Sequence, residues 1–248
     1  MGHTGGSGHG DGSGHFLHRN EGVIQGDPLD MIAYGTGVLP LNREIQGAQH
    51  RVAHPWYADA AGAGGKFQKI LEHFSDLQAW GPARGYYPDP TKNILVVGLG
   101  NLARAEEHFW GLGIPVVTGH YYLGGYIGGR ETEGSWLATK MKGWTESVTI
   151  LTGIARKHLQ SAYARLQKPL QQEWALVQRV TLVVVDYFGP VDTALKETFL
   201  PALFEGLREG VPERGVTSLP AKQAGLALPD PSTTAPENRT ASSVITGH

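Results

Sequence analysis

An acid at the end of an aromatic run is the first candidate for chemistry in this chain. In His54-Pro55-Trp56-Tyr57-Ala58-Asp59-Ala60-Ala61-Gly62, apolar and aromatic residues lead to one carboxylate and then give way to small residues. Val52, Trp56 and Tyr57 favour strand. Ala58-Asp59-Ala60 makes a tip and Gly62-Ala63-Gly64-Gly65 leaves it, so residues 50–65 are expected to form a hairpin that displays Asp59. An Asp in a tight turn is equally a turn former, so its company decides its meaning. A second candidate is Ile94-Leu95-Val96-Val97-Gly98-Leu99-Gly100-Asn101-Leu102-Ala103. Strand, Gly-x-Gly-x-x-Ala and a helix over 102–110 have the shape of a dinucleotide fingerprint, with Gly98 and Gly100 admitting a pyrophosphate at the helix N-terminus. That pattern calls for a ribose-binding acid about 20 residues further on. The second strand, 114–117, runs instead into Thr118-Gly119-His120, and no strand–helix repeat follows. His3, His9, His15 and His18 are metal-ligand types, but a Gly-rich arm holds no ligands in place.

The elements that position these residues follow from periodicity and punctuation. Gly26 frees the backbone and Pro28 opens a helix over 29–39, with Pro40 marking its end region. Phe67, Ile70, Leu71, Phe74, Leu77 and Trp80 predict an amphipathic helix over 66–80, stopped by Gly81-Pro82. Lys92 closes the exposed turn that leads to the strand 94–97. Two glycines flanked by aromatics predict a second hairpin over 121–128. From Ser135 the period becomes helical, at Leu137, Met141, Trp144, Val148, Leu151 and Ala155. It recurs at Tyr163, Leu166, Leu170, Trp174 and Val177, with Pro169 expected to break the run. A third helix is expected over 190–207. Residues 1–20 read as a flexible Gly/His-rich arm and 229–248 as a disordered Pro/Ser/Thr-rich tail.

Composition narrows the classes. The 248 residues are 40% apolar, with six Trp and nine Tyr, which suffices for a core. The absence of Cys excludes disulfides and thiolate metal sites. No apolar run approaches the ~20 residues of a membrane span, and no secretory signal is evident. The expectation is an intracellular protein, cytoplasmic or nuclear, not secreted and without a membrane partner. Net charge is −2, but residues 130–179 hold 8 Lys/Arg against 4 Asp/Glu. This basic middle suits phosphates and equally a solvated helical face.

Taken in order, these stretches resemble the C-terminal part of the reverse transcriptase of non-LTR retrotransposons. Gln25-Gly26-Asp27-Pro28-Leu29 resembles a family motif that contacts the template and the incoming nucleotide. Tyr57-Ala58-Asp59-Ala60 resembles the Tyr-x-Asp-Asp hairpin, whose two acids hold magnesium. The turn ending in Lys92 resembles the family's lysine turn near the nucleotide phosphates. Leu123-Gly124-Gly125 resembles the Leu-Gly turn that supports the primer end, and Leu219-Pro220 with Gly225-Leu226 a short element after the thumb. The resemblance covers about Glu21 to Leu228.

The resemblance implies an α+β fold: a partial polymerase palm over 21–130, then an all-α thumb-like bundle over 131–228, between the arm at 1–20 and the tail at 229–248. It implies Asp59 and Lys92 as catalytic residues and Asp59 as a Mg2+ ligand. It places Gln25, Gly26, Asp27, Pro28, Tyr57, Leu123, Gly124 and Gly125 on the substrate or template. The implied partners are an RNA template, an RNA–DNA duplex and a nucleotide. Two departures bear on the chemistry. Nucleotide addition uses two metals held mainly by carboxylates, yet the second hairpin acid is Ala60 here. The family's first palm Asp, from a strand ahead of the Gln25 position, has no counterpart in residues 1–24. Asp27 and Asp30 do not replace them. The expectation is therefore a fragment of an RNA-directed DNA polymerase, a nucleotidyltransferase with a degenerate site, inactive alone and with Mg2+ binding weak or absent. The missing strand leaves a sheet edge open to self-association. A non-catalytic RNA/DNA-binding module is the second reading, and a dinucleotide-binding enzyme using Gly98 and Gly100 the third.

Overall fold

The computed structural model describes residues 29–57, 60–181, 185–205 and 214–246. The chain divides into two compact units. One holds the residues up to Asn93 together with His108–Leu112; the other holds Ile94–Glu107 and everything from Gly113 onward. This division cuts through the expected 21–130 region rather than falling at its end.

In the first unit, α1 (Asp30–Ala48) is followed by β1 (Trp56–Tyr57), β2 (Ala60–Ala61) and α2 (Phe67–Trp80). The helix expected to end near Pro40 runs on to Ala48. A proline inside a helix costs about 3 kcal/mol. Beyond it, Leu41 and Ile45 are fully buried against Leu77, with Trp56, Trp80 and Tyr86 around them. Burying each such side chain contributes about 1.5–3 kcal/mol, so packing offsets the proline. The hairpin pairs Trp56 with Ala61 and Tyr57 with Ala60. Its neck is a bridge of two backbone hydrogen bonds between Ala53 and Gly64, at 2.8 and 2.6 Å. On α2, Phe74 and Leu77 of the expected stripe are buried together with His73, and Phe67, Ile70, Leu71 and Trp80 are half-buried. A Cβ at Gly81 would collide with the carbonyls of Leu77 and Tyr86, so only glycine lets the chain turn there.

In the second unit, β3 (Leu95–Val96), α3 (Leu102–His108, its last residue grouped with the first unit) and β4 (Val116–Val117) form a strand–helix–strand element. Its two strands are parallel, with Leu95 beside Val116. The antiparallel hairpin β5 (Gly119–Tyr122) and β6 (Gly125–Gly128) precedes the helices α4 (Arg130–Ala155), α5 (Leu159–Arg165), α6 (Gln171–Val180), α7 (Gly189–Ala194), α8 (Leu200–Leu203), α9 (Arg214–Ser218) and α10 (Pro231–Thr246). The fold is α+β and mostly helical; the strands of the described residues make three separate two-stranded sheets.

The core of this unit runs along α4 at Leu137, Met141, Trp144, Val148, Leu151 and Ala155, the periodic positions of the sequence. Trp144 lies parallel to Phe188 at 5.9 Å and edge-on to Trp174 at 6.2 Å. One further proline expectation is corrected. Pro169 does not break its run: α5 passes into α6 through a π turn, Leu166–Leu170, closed by the Gln171 N–H on the Leu166 carbonyl. The third helix is continuous over Gly189–Leu203 by the same device, a π turn at Leu195–Phe199 just ahead of Pro201. A π turn is wider than an α turn and relieves the clash of the proline ring with the preceding turn.

The expected disordered tail is a helix. Asp230 caps α10, accepting from the Ser232 N–H at 2.7 Å. Fully buried Gln178 donates to the Pro231 carbonyl at 2.7 Å and accepts from Asn238 at 2.7 Å. Tyr163 and Gln171 donate to the carbonyls of Leu226 and Ala227, and Arg214 to that of Leu228. Polar side chains of the bundle thus fasten a segment whose own composition is too polar to bury much.

Candidate functional site

The hairpin expected over 50–65 is present, and its strands position the candidate acid's neighbours. Tyr57 stands 64% exposed on β1 opposite Ala60. Trp56, its neighbour on the strand, turns toward the core and meets Tyr86 edge-on at 5.2 Å. This alternation is what a strand imposes. Asp59, like Gln25, Gly26, Asp27 and Pro28, lies outside the described residues. The methyl of Ala60 offers no oxygen to a cation. Among the described residues no group of three His, Asp or Glu side chains is arranged to hold a metal ion.

Lys92 ends a 3-10 turn, Pro90–Lys92, in the first unit. Asp89 builds that turn by accepting from the Thr91 N–H at 2.9 Å and the Thr91 hydroxyl at 2.7 Å. Those hydrogen bonds, the hydroxyl's first, with the charge of Lys92 adding, hold the Asp89 carboxyl below its ordinary range. Lys92 itself is exposed and forms no ion pair among the described residues.

Leu123, Gly124 and Gly125 belong to the second unit. Leu123 and Gly124 are the two turn residues between β5 and β6, with φ of +47° and +85°. A two-residue turn with both φ positive matches the twist of the strands it joins. The glycines meet a second demand. A Cβ on Gly124 would stand 2.5 Å from Leu176 Cδ2, and one on Gly125 would stand 2.9 Å from Val180 Cγ2. The turn is therefore seated on α6. Tyr126 stacks on Trp136 at 5.3 Å, and Lys140 stands over the Tyr121 ring at 5.9 Å.

Gly98 and Gly100 follow β3, where the fingerprint requires them, but two strands and a seven-residue helix do not build the sheet of a dinucleotide fold. Both are exposed, and neither is demanded by a positive φ or a close neighbour. The basic helices divide their charges. Lys140 pairs with Glu173 at 3.0 Å and Arg156 with Glu205 at 3.4 Å. Lys142, Lys157, Arg165 and Lys168 are exposed and form no ion pair among the described residues.

The sequence reading passed over one pair of titratable groups. His54, at the hairpin neck, and His73, on α2, lie with ring centres 5.7 Å apart. The Nδ1 atom of each is buried and makes no hydrogen bond among the described residues. The signal was present at His73, three residues after Ile70 and one before Phe74, inside the apolar stripe. No family model, no curated protein and no solved structure matches this chain.

Proposed function

We propose that this chain is a reverse-transcriptase-derived fragment that has no polymerase activity by itself. The observation that carries the reading is the succession of Gln25–Leu29, Tyr57–Ala60, Lys92 and Leu123–Gly125 in family order along one chain. Hairpins at the second and fourth of these places support it. Inactivity rests on Ala60, since two-metal nucleotidyl transfer needs more carboxylate than Asp59 supplies. The partners are then an RNA template, an RNA–DNA duplex and a nucleotide, with Mg2+ weakly held. Primer extension on a poly(rA) template with magnesium or manganese tests the activity. No product is expected, and Ala60→Asp alone is expected not to restore it; robust extension by the unaltered chain overturns the reading.

A second reading, a non-catalytic RNA/DNA-binding module, is favoured by Lys142, Lys157, Arg165 and Lys168, which form no ion pair among the described residues. It predicts binding to an RNA–DNA duplex that weakens steeply with salt. Absence of a mobility shift at low ionic strength disposes of it. Self-association through a sheet edge is tested by sedimentation over a range of concentrations.

A further inference from the structure

We propose that His54 and His73 form an acid-sensitive latch that holds the β1–β2 hairpin on α2. The two rings are tilted by 41° at a centre-to-centre distance of 5.7 Å. His73 is 3% exposed and flanked along α2 by buried Phe74 and Leu77. His54 directly follows Ala53, whose bridge to Gly64 closes the hairpin neck. A proton added to an imidazole turns it into a cation with two donors. Neither Nδ1 has an acceptor among the described residues. Protonation therefore leaves a charged donor unsatisfied in a buried contact, which is costly. Charging both rings sets like charges against each other across the latch.

The groups that face the pair do not cancel this. Asp76, one turn further along α2, is the opposing charge nearest in effect, but its carboxylate already accepts from Gln49 Nε2, at the end of α1, at 2.6 Å. Lys69 and Glu72 neutralise each other on the surface of α2 at 2.5 Å. His108 packs edge-on against Phe67 at 5.7 Å, at the other end of that helix. Burial first, then the charge of His54, hold His73 below the ordinary imidazole range, and Asp76 acts in the opposite sense.

The sign follows from linkage. With the hairpin lifted, the His73 imidazole regains water and takes up a proton near the ordinary value of about 6.5. In the closed form His73 resists the proton. The latch is thus fully closed above that value and loosens as pH falls through and below it. Each proton taken up preferentially by the open form multiplies the open population by up to about ten per pH unit. Opening frees the strand that carries Trp56 and Tyr57, whatever that strand contacts.

Hydrogen exchange of the full chain, read by mass spectrometry at pH 7.5 and 5.0 and corrected for intrinsic rates, tests the latch. Peptides over 53–64 are expected to lose protection by about tenfold or more at the lower pH, while those of α1 and α4 keep theirs. His73→Phe and, separately, His54→Gln are expected to remove the pH dependence. If either variant fails to fold, NMR of the imidazole signals in the unaltered protein decides. The titration of His73 is expected to coincide with the loss of hairpin protection. Equal protection at both pH values, a loss shared by α1, the same loss in both variants, or titration without hairpin exposure would each overturn the proposal.

Discussion

The Leu123-Gly124 turn allows a sharp test, because one substitution is predicted to act through two separable terms. Gly124→Ala places a Cβ on a residue with φ of +85° and within 2.5 Å of Leu176 Cδ2. The left-handed conformation costs about 1–2 kcal/mol for a residue with a Cβ. Leu176 is 40% exposed and can swing aside, which costs about 0.5–1.5 kcal/mol for an off-rotamer side chain. The expected loss is about 1.5–3.5 kcal/mol. Gly153→Ala is the control: Gly153 lies exposed within α4, and nothing stands within 4 Å of its added Cβ. There the same change is expected to stabilise by about 1 kcal/mol, the helix-propensity gain. Leu176→Ala removes the clash and leaves the backbone term, so the double variant should recover about 0.5–1.5 kcal/mol of coupling. Urea unfolding followed by circular dichroism and by tryptophan fluorescence measures the unaltered protein and the four variants. If Gly124→Ala and Gly153→Ala change stability in the same direction, or if Leu176→Ala shows no coupling, the seating of the turn on α6 is refuted.

Further outcomes are expected elsewhere. Gln178→Ala leaves the Pro231 carbonyl and Asn238 without their buried partner and opens a void. It is expected to cost about 2–4 kcal/mol and to make residues 231–246 sensitive to limited proteolysis, so an unchanged digestion pattern would count against the fastening of α10. The lowered Asp89 carboxyl predicts a turn that is intact above the ordinary carboxylate value and loosens in acid as pH falls through the depressed one. Exchange of the Thr91 amide should accelerate only in acid in the unaltered protein, and already at neutral pH in Asp89→Ala. Asn238 donates to Gln178 at 2.7 Å, so Asn238→Ala is expected to lower stability by about 1 kcal/mol in unfolding experiments; a neutral result would show that Gln178 is held by its own donations to the Pro231 carbonyl and the Thr234 hydroxyl.

Much of the architecture was legible in local pattern. The stripes of α2 and α4 repeat at helical spacing; the structure buries the whole stripe of α4, and Phe74 and Leu77 of that on α2. Both hairpins follow from aromatic runs interrupted by turn residues. The lengths of the helices were less legible. Pro40, Pro169 and Pro201 are local stop signals, and all three are overridden. At Pro40 the reason is the burial of Leu41 and Ile45 on α2; at the other two it is a π turn beside the ring. For α10, the Asp230-Pro231 cap was readable, yet the composition argued for disorder. The residue that holds the helix, Gln178, lies 53 positions away from Pro231.

For the candidate site the division is similar. The residue order Gln25–Leu29, Tyr57–Ala60, Lys92 and Leu123–Gly125, the loss of an acid at Ala60 and the basic bias of 130–179 belong to the sequence by itself, because each is a matter of residue type and spacing. Tertiary structure decided why Gly124 and Gly125 must be glycine, since Leu176 and Val180 come from another helix. It also decided that Trp56 packs against the core while Tyr57 faces solvent. The pairing of His54 with His73 is of the same kind: spacing along α2 marks His73 as inward, but only the folding of the hairpin onto that helix brings a second imidazole to it.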